Sequence, residues 1–208
     1  MHKRSILAIS ALALLGGCAT TAMPEISPLE LASHGVTPET AQTLADKGYY
    51  VQAMAGYRAA LKANPEDAAS RYGLAEALRR TGKPDEAKIE LAALLNNPEW
   101  KARALEGLGR INFAAGDRAA ALGMFNQAVA ENPKAWNCWL GIAQLHDLNK
   151  EWGKADEAYA FALAASDQPA VVYNNQGVSK LARGEAGYAA EFFRNALSAN
   201  PKMEIGRA

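Results

Sequence analysis

Three neighbouring side chains belong to residue types that carry out acid–base or nucleophilic chemistry: Cys138, His146 and Asp147. His146 and Asp147 are adjacent, and adjacent residues of a helix do not share a face, so they do not form an acid–base pair. No His or Cys lies near them at the spacing of metal ligands, and no base is identifiable that would activate the Cys138 thiol. The sequence therefore predicts no catalytic site, no metal and no cofactor, and Cys138 is expected to behave as a small apolar residue.

Cys18 is a different case, because it stands at the end of an apolar segment near the N-terminus. Lys3 and Arg4 precede an apolar region of eleven residues, 5–15. This region is too short to span a bilayer, which needs about 20 residues, and its layout is typical of an export signal. The order Leu15-Gly16-Gly17-Cys18 resembles the lipobox of bacterial lipoproteins.

The lipobox resemblance implies that residues 1–17 are a signal peptide that is removed and that Cys18 carries the acyl chains, palmitate among them. Residues 18–33 then form a lipid-anchored tether. Ala19, rather than Asp, follows the cysteine, which resembles lipoproteins at the periplasmic face of the outer membrane. The alternative is an ordinary secretory signal with a chance cysteine. With Cys18 acylated, Cys138 has no partner, so no disulfide is predicted.

The remainder of the chain repeats itself every 34 residues. Five alanines occupy one column of the repeat: Ala53, Ala87, Ala121, Ala155 and Ala189. Twelve residues earlier the column holds Ala or Gly, and four residues later it holds an aromatic residue or Leu. Five residues earlier it holds Gly, except for Lys150. This pattern resembles the tetratricopeptide repeat (TPR) family.

The TPR resemblance implies an all-α fold, a right-handed superhelix (α-solenoid) of helix-turn-helix units. The five units are 34–67, 68–101, 102–135, 136–169 and 170–203, followed by a C-terminal remnant, 204–208. The glycines suit turns with positive φ, and the small residues allow close helix crossings. Thr37 and Pro38 suit the start of the first helix. Prolines are expected to end the second helices, at Pro65, Pro133 and Pro201, with Pro98 and Pro169 displaced.

The first helices of TPR units form the concave lining, which places the partner-binding surface of this chain. The corresponding residues are Tyr72, Glu76, Arg79, Arg103, Glu106, Arg110, Phe113, Leu140, Gln144, Asp147 and Asn174. Aromatic and arginine side chains favour a protein partner, bound as a peptide or helix. Gly107 occupies a position where chaperone-tail clamps need a binding side chain, so capture of a C-terminal carboxylate is not expected.

The leading hypothesis is a non-enzymatic adaptor that binds another envelope protein and the membrane, the latter through its lipid. In its architecture the chain resembles the TPR lipoprotein of tight-adherence (Flp) pilus assembly, which implies a secretin or pilus component as partner. Alternatives are a scaffold for peptidoglycan enzymes and an enzyme with an unrecognised site. The balance of 22 Lys+Arg and 22 Asp+Glu argues against nucleic acid as a binding partner. No small-molecule substrate is predicted. The last repeat is not followed by a polar capping helix. An uncapped array, an incomplete chain or a partner that covers this end would each account for it.

Overall fold

The computed structural model describes residues 37–206, and all regular secondary structure in this range is α-helical. The helices are α1 Pro38–Asp46, α2 Tyr50–Ala63, α3 Ala68–Arg80, α4 Pro84–Ala93, α5 Lys101–Ala114, α6 Arg118–Glu131, α7 Trp136–Leu148, α8 Trp152–Ala165, α9 Pro169–Ala182 and α10 Ala186–Ala199. Within the same range, no helix is long and apolar enough to cross a bilayer. The predicted signal peptide, Cys18 and the predicted tether lie outside the described residues.

The helices pack in consecutive pairs, each pair joined by a short turn. Every odd-numbered helix contacts the helix that follows it and also the next odd-numbered helix, from α1 with α3 to α7 with α9. Among the described residues, the even-numbered helices contact their neighbours in sequence but not one another. The odd-numbered helices therefore form the inner, concave row of a curved stack, and the predicted α-solenoid of TPR units is confirmed.

The alanine column lies where the two helices of a unit cross. All five of its members, from Ala53 to Ala189, are fully buried. In the partner column, a Cβ added to Gly109 would lie 2.6 Å from Cε1 of Phe125, and one added to Gly177 would lie 2.5 Å from Cε1 of Phe193. Such distances are too short for carbon atoms, so small residues are needed at these crossings, as predicted.

Two clusters of buried side chains form the core along the stack. The N-terminal cluster includes Leu91 and Leu108, and the C-terminal cluster includes Phe125 and Tyr159. Half-buried Met124 contacts both clusters and so joins them. Burial of each large apolar side chain contributes about 1.5–3 kcal/mol, so stability is spread along the array.

The turns show why glycine recurs between the two helices of a unit. Gly48, Gly82, Gly116 and Gly184 have φ between 77° and 84°. Lys150 adopts φ 59° at the equivalent position, the one non-glycine residue in residues 37–206 with positive φ. This conformation costs an L-residue about 1–2 kcal/mol. The turn geometry is therefore kept in the fourth unit even without glycine.

The helix ends agree with most of the sequence signals. Thr37 caps α1, its Oγ1 accepting from the Thr40 N–H at 3.3 Å, and Pro38 is the first helical residue. Three second helices end at an asparagine followed by one of the predicted prolines: Asn64-Pro65, Asn132-Pro133 and Asn200-Pro201. Pro169 is an exception, because it begins α9 instead of ending α8. A proline suits this first position, where its missing N–H is not needed.

Candidate protein-binding groove

Two adjoining cavities lie on the inner face formed by the odd-numbered helices. The first, here named the arginine pocket, has a volume of about 270 Å³ and is lined by Arg79, Arg110, Phe113, Phe125, Asn137, Leu140, Gly141 and Gln144. The second, the apolar pocket, has a volume of about 280 Å³ and is lined by Phe113, Gln144, Asp147, Leu148, Tyr159, Asn175, Val178, Ser179 and Ala182. Because Phe113 and Gln144 belong to both, the two pockets form one continuous groove.

The arginine pocket presents two guanidinium groups that differ in how firmly they are held. Arg79 donates from Nε and Nη2 to the Glu76 carboxylate, at 3.2 and 2.9 Å. Arg110 makes a longer contact, 3.5 Å from Nη1 to Oε1 of Glu106. Its side chain is 38% exposed, compared with 19% for Arg79. Arg110 is therefore the cation that is more open to a ligand.

Glu76 and Glu106 pair with these arginines and differ in the pKa of their carboxyl groups. Burial favours the neutral form of both carboxyls. For Glu106 burial prevails over the charge of Arg110, and the pKa of its carboxyl is raised. For Glu76 the hydrogen bonds and charge of Arg79 outweigh burial, and its pKa is lowered. Burial also raises the pKa of the Tyr72 hydroxyl, which the two carboxylates reinforce.

The apolar pocket contains polar side chains, but these hydrogen-bond to one another. Asp147 Oδ2 accepts from the Tyr159 hydroxyl at 2.8 Å, and its Oδ1 accepts from Ser179 Oγ at 2.7 Å and from Arg183 Nη2 at 3.2 Å. Gln144 donates to Asn175 Oδ1 at 2.7 Å. The surface that remains for a ligand is contributed mainly by Phe113, Leu148, Val178 and Ala182.

Arg183 is the centre of the polar network beneath this pocket. Its guanidinium pairs with Asp147 and, at 2.8 Å, with Asp156, and it lies 5.0 Å from the ring centroid of Trp152. The side chain is 5% exposed. Lys180 adds a second ion pair to Asp156, at 3.2 Å. These contacts tie α9 to α7 and α8, so Asp147 has a structural role in addition to its place in the groove.

The structure places ten of the eleven predicted groove residues in three groups. Six of them line the two pockets: Arg79, Arg110, Phe113, Leu140, Gln144 and Asp147. Tyr72, Glu76 and Glu106 lie half-buried beside them. Arg103 lies outside both pockets. It is near the start of α5, over the ring of Trp100 and beside Glu131 at the end of α6.

Asn174 is not available at the groove surface, contrary to prediction. It is fully buried, and its Oδ1 accepts from the backbone N–H of Gly206 at 2.8 Å. The chain beyond α10 therefore covers this side chain. The repeat pattern ends before Gly206, so the repeat columns carried no signal of this contact.

A second column of small residues was missed by the sequence reasoning. Gly73, Gly107 and Gly141 are spaced by 34 residues. A Cβ added at Gly107 would lie 2.8 Å from Leu91, and one at Gly141 would lie 2.6 Å from Phe125. Each glycine thus packs directly against a large side chain of the preceding unit. This packing explains why position 107 is a glycine. In the last unit Asn175 replaces glycine and hydrogen-bonds to Gln144 instead.

The residue types that could carry out chemistry are buried or paired within the protein. His146 Nδ1 lies 2.6 Å from the Glu151 carboxylate, across the turn that contains Lys150. Cys138 is fully buried, and burial raises the pKa of its thiol, which keeps it protonated. Among residues 37–206 there is no group of three or more His, Cys, Asp or Glu placed to hold a metal ion.

Comparison with known proteins agrees with the repeat architecture. Two family models, each described as tetratricopeptide repeat, match residues 44–108 and 106–170. Sequence comparison with curated proteins gives no significant match.

Several solved structures are similar to this chain in fold. A tetratricopeptide repeat protein from Parabacteroides merdae is 23% identical with a TM-score of 0.68, over 83% of this chain and 69% of that chain. A TPR protein from Thermus thermophilus is 23% identical with a TM-score of 0.67, over 82% and 92%. Pseudomonas aeruginosa pilF is 18% identical with a TM-score of 0.64, over 84% and 81%. At these identities the likeness concerns the fold alone. Because the two family matches together extend from residue 44 to residue 170, more than half of its length, this chain belongs to the tetratricopeptide-repeat family.

Proposed function

We propose that this protein is a non-enzymatic adaptor, anchored by lipid at the periplasmic face of the outer membrane. Its groove binds a segment of another envelope protein and so assists assembly of an envelope machine, a tight-adherence (Flp) pilus or its secretin. The observation that carries the binding role is the continuous groove formed by the arginine pocket and the apolar pocket. TPR proteins are generally interaction scaffolds, which supports an adaptor over an enzyme.

The anchor rests on the lipobox-like sequence that ends at Cys18. Each acyl CH₂ that enters the bilayer contributes about 0.8 kcal/mol, so several chains on one cysteine hold a small domain at the surface. The segment between Cys18 and α1 includes Pro24 and Pro28, which suit a spacer.

The anchor is tested with labelled fatty acid in cells that produce Cys18→Ser. We expect the unaltered protein to incorporate the label and the variant to appear in the soluble fraction without label. Cys138→Ser is the matched control, because that thiol is buried, and it should keep both label and membrane location. Equal labelling of the Cys18→Ser protein would contradict the proposed anchor.

The partner is tested by site-specific photocrosslinking in the envelope. A crosslinker at position 137 reports on the groove, because Asn137 is exposed and lines the arginine pocket. One at position 89 is the control, because Ile89 is 70% exposed on the second helix of its unit. We expect a secretin or pilus component to be crosslinked from position 137 and not from position 89. Crosslinking of peptidoglycan enzymes instead would support that alternative and overturn the pilus assignment. Equal crosslinked products from both positions would contradict the assignment of the groove as the binding site.

A further inference from the structure

The arginine pocket presents guanidinium groups at its surface, while the two glutamates that pair with them, Glu76 and Glu106, are not among its lining residues. These guanidinium groups belong to Arg79 and Arg110. Arg79 is engaged by both oxygens of Glu76, whereas Arg110 has one long contact with Glu106. A guanidinium carries five N–H donors in a planar fork and binds carboxylates through two of them. Arg110 therefore retains donors that a ligand carboxylate can use.

The apolar pocket has the opposite character, although Asp147 belongs to its lining. Both Asp147 oxygens accept hydrogen bonds from neighbouring side chains, and Arg183 balances its charge. A charged side chain entering this pocket would lose hydration beside a carboxylate that is already paired with Arg183, which is costly. An apolar side chain would instead be removed from water against Phe113, Leu148 and Val178.

The two pockets share Phe113 and Gln144, so a single segment reaches both. We infer that the groove selects protein segments in which an acidic side chain lies close to a large apolar side chain. The carboxylate binds Arg110, and the apolar side chain enters the pocket between Phe113 and Val178. This inference depends on the proposed binding function of the groove, and it adds the chemistry by which a partner is chosen.

The carboxylate that fits is a side-chain group from within a segment and not the C-terminus of a chain. One loosely paired arginine matches one carboxylate. Gly107, on the helix that carries Arg110, contributes no side chain that would bind the further atoms of a chain end. The neighbouring cation, Arg79, is already paired with Glu76 at 2.9 Å.

The inference is tested with the intact 18–208 chain and fluorescent peptides that are acetylated and amidated at their ends. The panel places one Glu and one Leu at separations of one to four residues in an Ala/Ser background. We expect the best peptide to lose about tenfold in affinity when Glu is replaced by Gln, because the amide gives Arg110 a weaker, neutral hydrogen-bond acceptor in place of a charged one. Replacement of Leu by Ala is expected to cost about tenfold as well.

Variants of the protein assign each preference to its pocket. Arg110→Gln should lose the preference for Glu over Gln and keep the preference for Leu over Ala. The double variant Leu148→Ser/Val178→Ser should show the reverse. Ile89→Ser, on the outer surface, should keep both preferences. Circular dichroism of each variant verifies that the helices are retained.

Three results would overturn the inference: no binding by any peptide of the panel, a requirement for a free C-terminal carboxylate, or an unchanged Glu preference in Arg110→Gln. If one of these occurs while position 137 crosslinks a partner in the envelope, the selection rule fails and the proposed function stands. Absence of crosslinking from position 137, with Arg110 in place, would instead contradict the proposed function itself.

Discussion

The junction between the second and third units differs in kind from the junction between the fourth and fifth. Between α3–α4 and α5 the contact is apolar, with Leu91 packed over Gly107. Within the described residues, no side-chain hydrogen bond or ion pair joins α5 to α3 or α4. Between α7–α8 and α9, polar side chains form a network in which Asp147 contacts Ser179 and Arg183. The same repeat geometry is therefore held together by two different kinds of interaction.

This difference teaches when a polar residue on the inner face is available to a partner. At the earlier junction Glu106 pairs with the arginine of its own helix, at 3.5 Å. At the later junction the neighbouring helix supplies donors, and Asp147 uses both oxygens within the protein. Position in the repeat identifies the inner face, whereas the neighbouring unit decides which groups remain open.

The largest effect is expected from Leu91→Ala at the apolar junction. Leu91 is fully buried, and removing its branched end leaves a cavity beside Gly107. The expected loss in the free energy of unfolding is about 3 kcal/mol, measured by urea denaturation. Because the interaction is apolar, this loss should be the same at low and high salt. A loss that disappears in high salt would contradict the comparison.

A smaller effect is expected from Arg183→Met at the polar junction. The change leaves Asp147 without its cation, and we expect a loss of about 2 kcal/mol, discounted from the fully buried case because Asp156 is half exposed. The control is Arg58→Met, which breaks an exposed pair with Glu86 between the first two units and should change stability by less than about 0.5 kcal/mol. Equal effects of the two variants would remove the distinction between the junctions.

The smallest effects are expected at the two carboxyls of the groove, Glu76 and Glu106, whose charged forms change the free energy of unfolding in opposite directions. The lowered pKa of Glu76 means that its charged form stabilises the fold, a contribution present above its ordinary pKa and lost as the pH falls below that value through its lowered pKa in the folded protein. The raised pKa of Glu106 means that its charged form is disfavoured at neutral pH, a penalty relieved as the pH falls.

At pH 7 we therefore expect Glu76→Gln to lower the free energy of unfolding by about 1 kcal/mol, whereas Glu106→Gln should leave it unchanged or slightly higher. Urea denaturation from pH 7 to pH values below the lowered pKa of Glu76 should show the stabilities of the two variants converging. A greater loss for Glu106→Gln at pH 7 would show that its pair with Arg110 is the stronger one.

The fold could be predicted from sequence because each repeat column meets the same surroundings in every unit. The five crossing alanines are buried alike, and the turn conformation persists even at Lys150. The groove could be predicted in part. Asn174 shares a column with Glu106 and Leu140 but is covered by Gly206, which lies beyond the repeats. Arg183 contacts Asp147 from the next unit. The two residues occupy different columns of the repeat, so their contact does not show as a recurring pattern in the sequence.

The glycine column has a consequence for how such an array changes length. Between the second and third units, a duplicated or deleted module needs only to pack a leucine against a glycine, so the junction can be restored by any copy that carries the glycine of this column. Between the fourth and fifth units, an inserted copy would separate Asp147 from Ser179 and Arg183 and leave each charge stranded. We therefore expect changes in the number of modules to be tolerated at the junction of the second and third units and to be destabilising at the junction of the fourth and fifth.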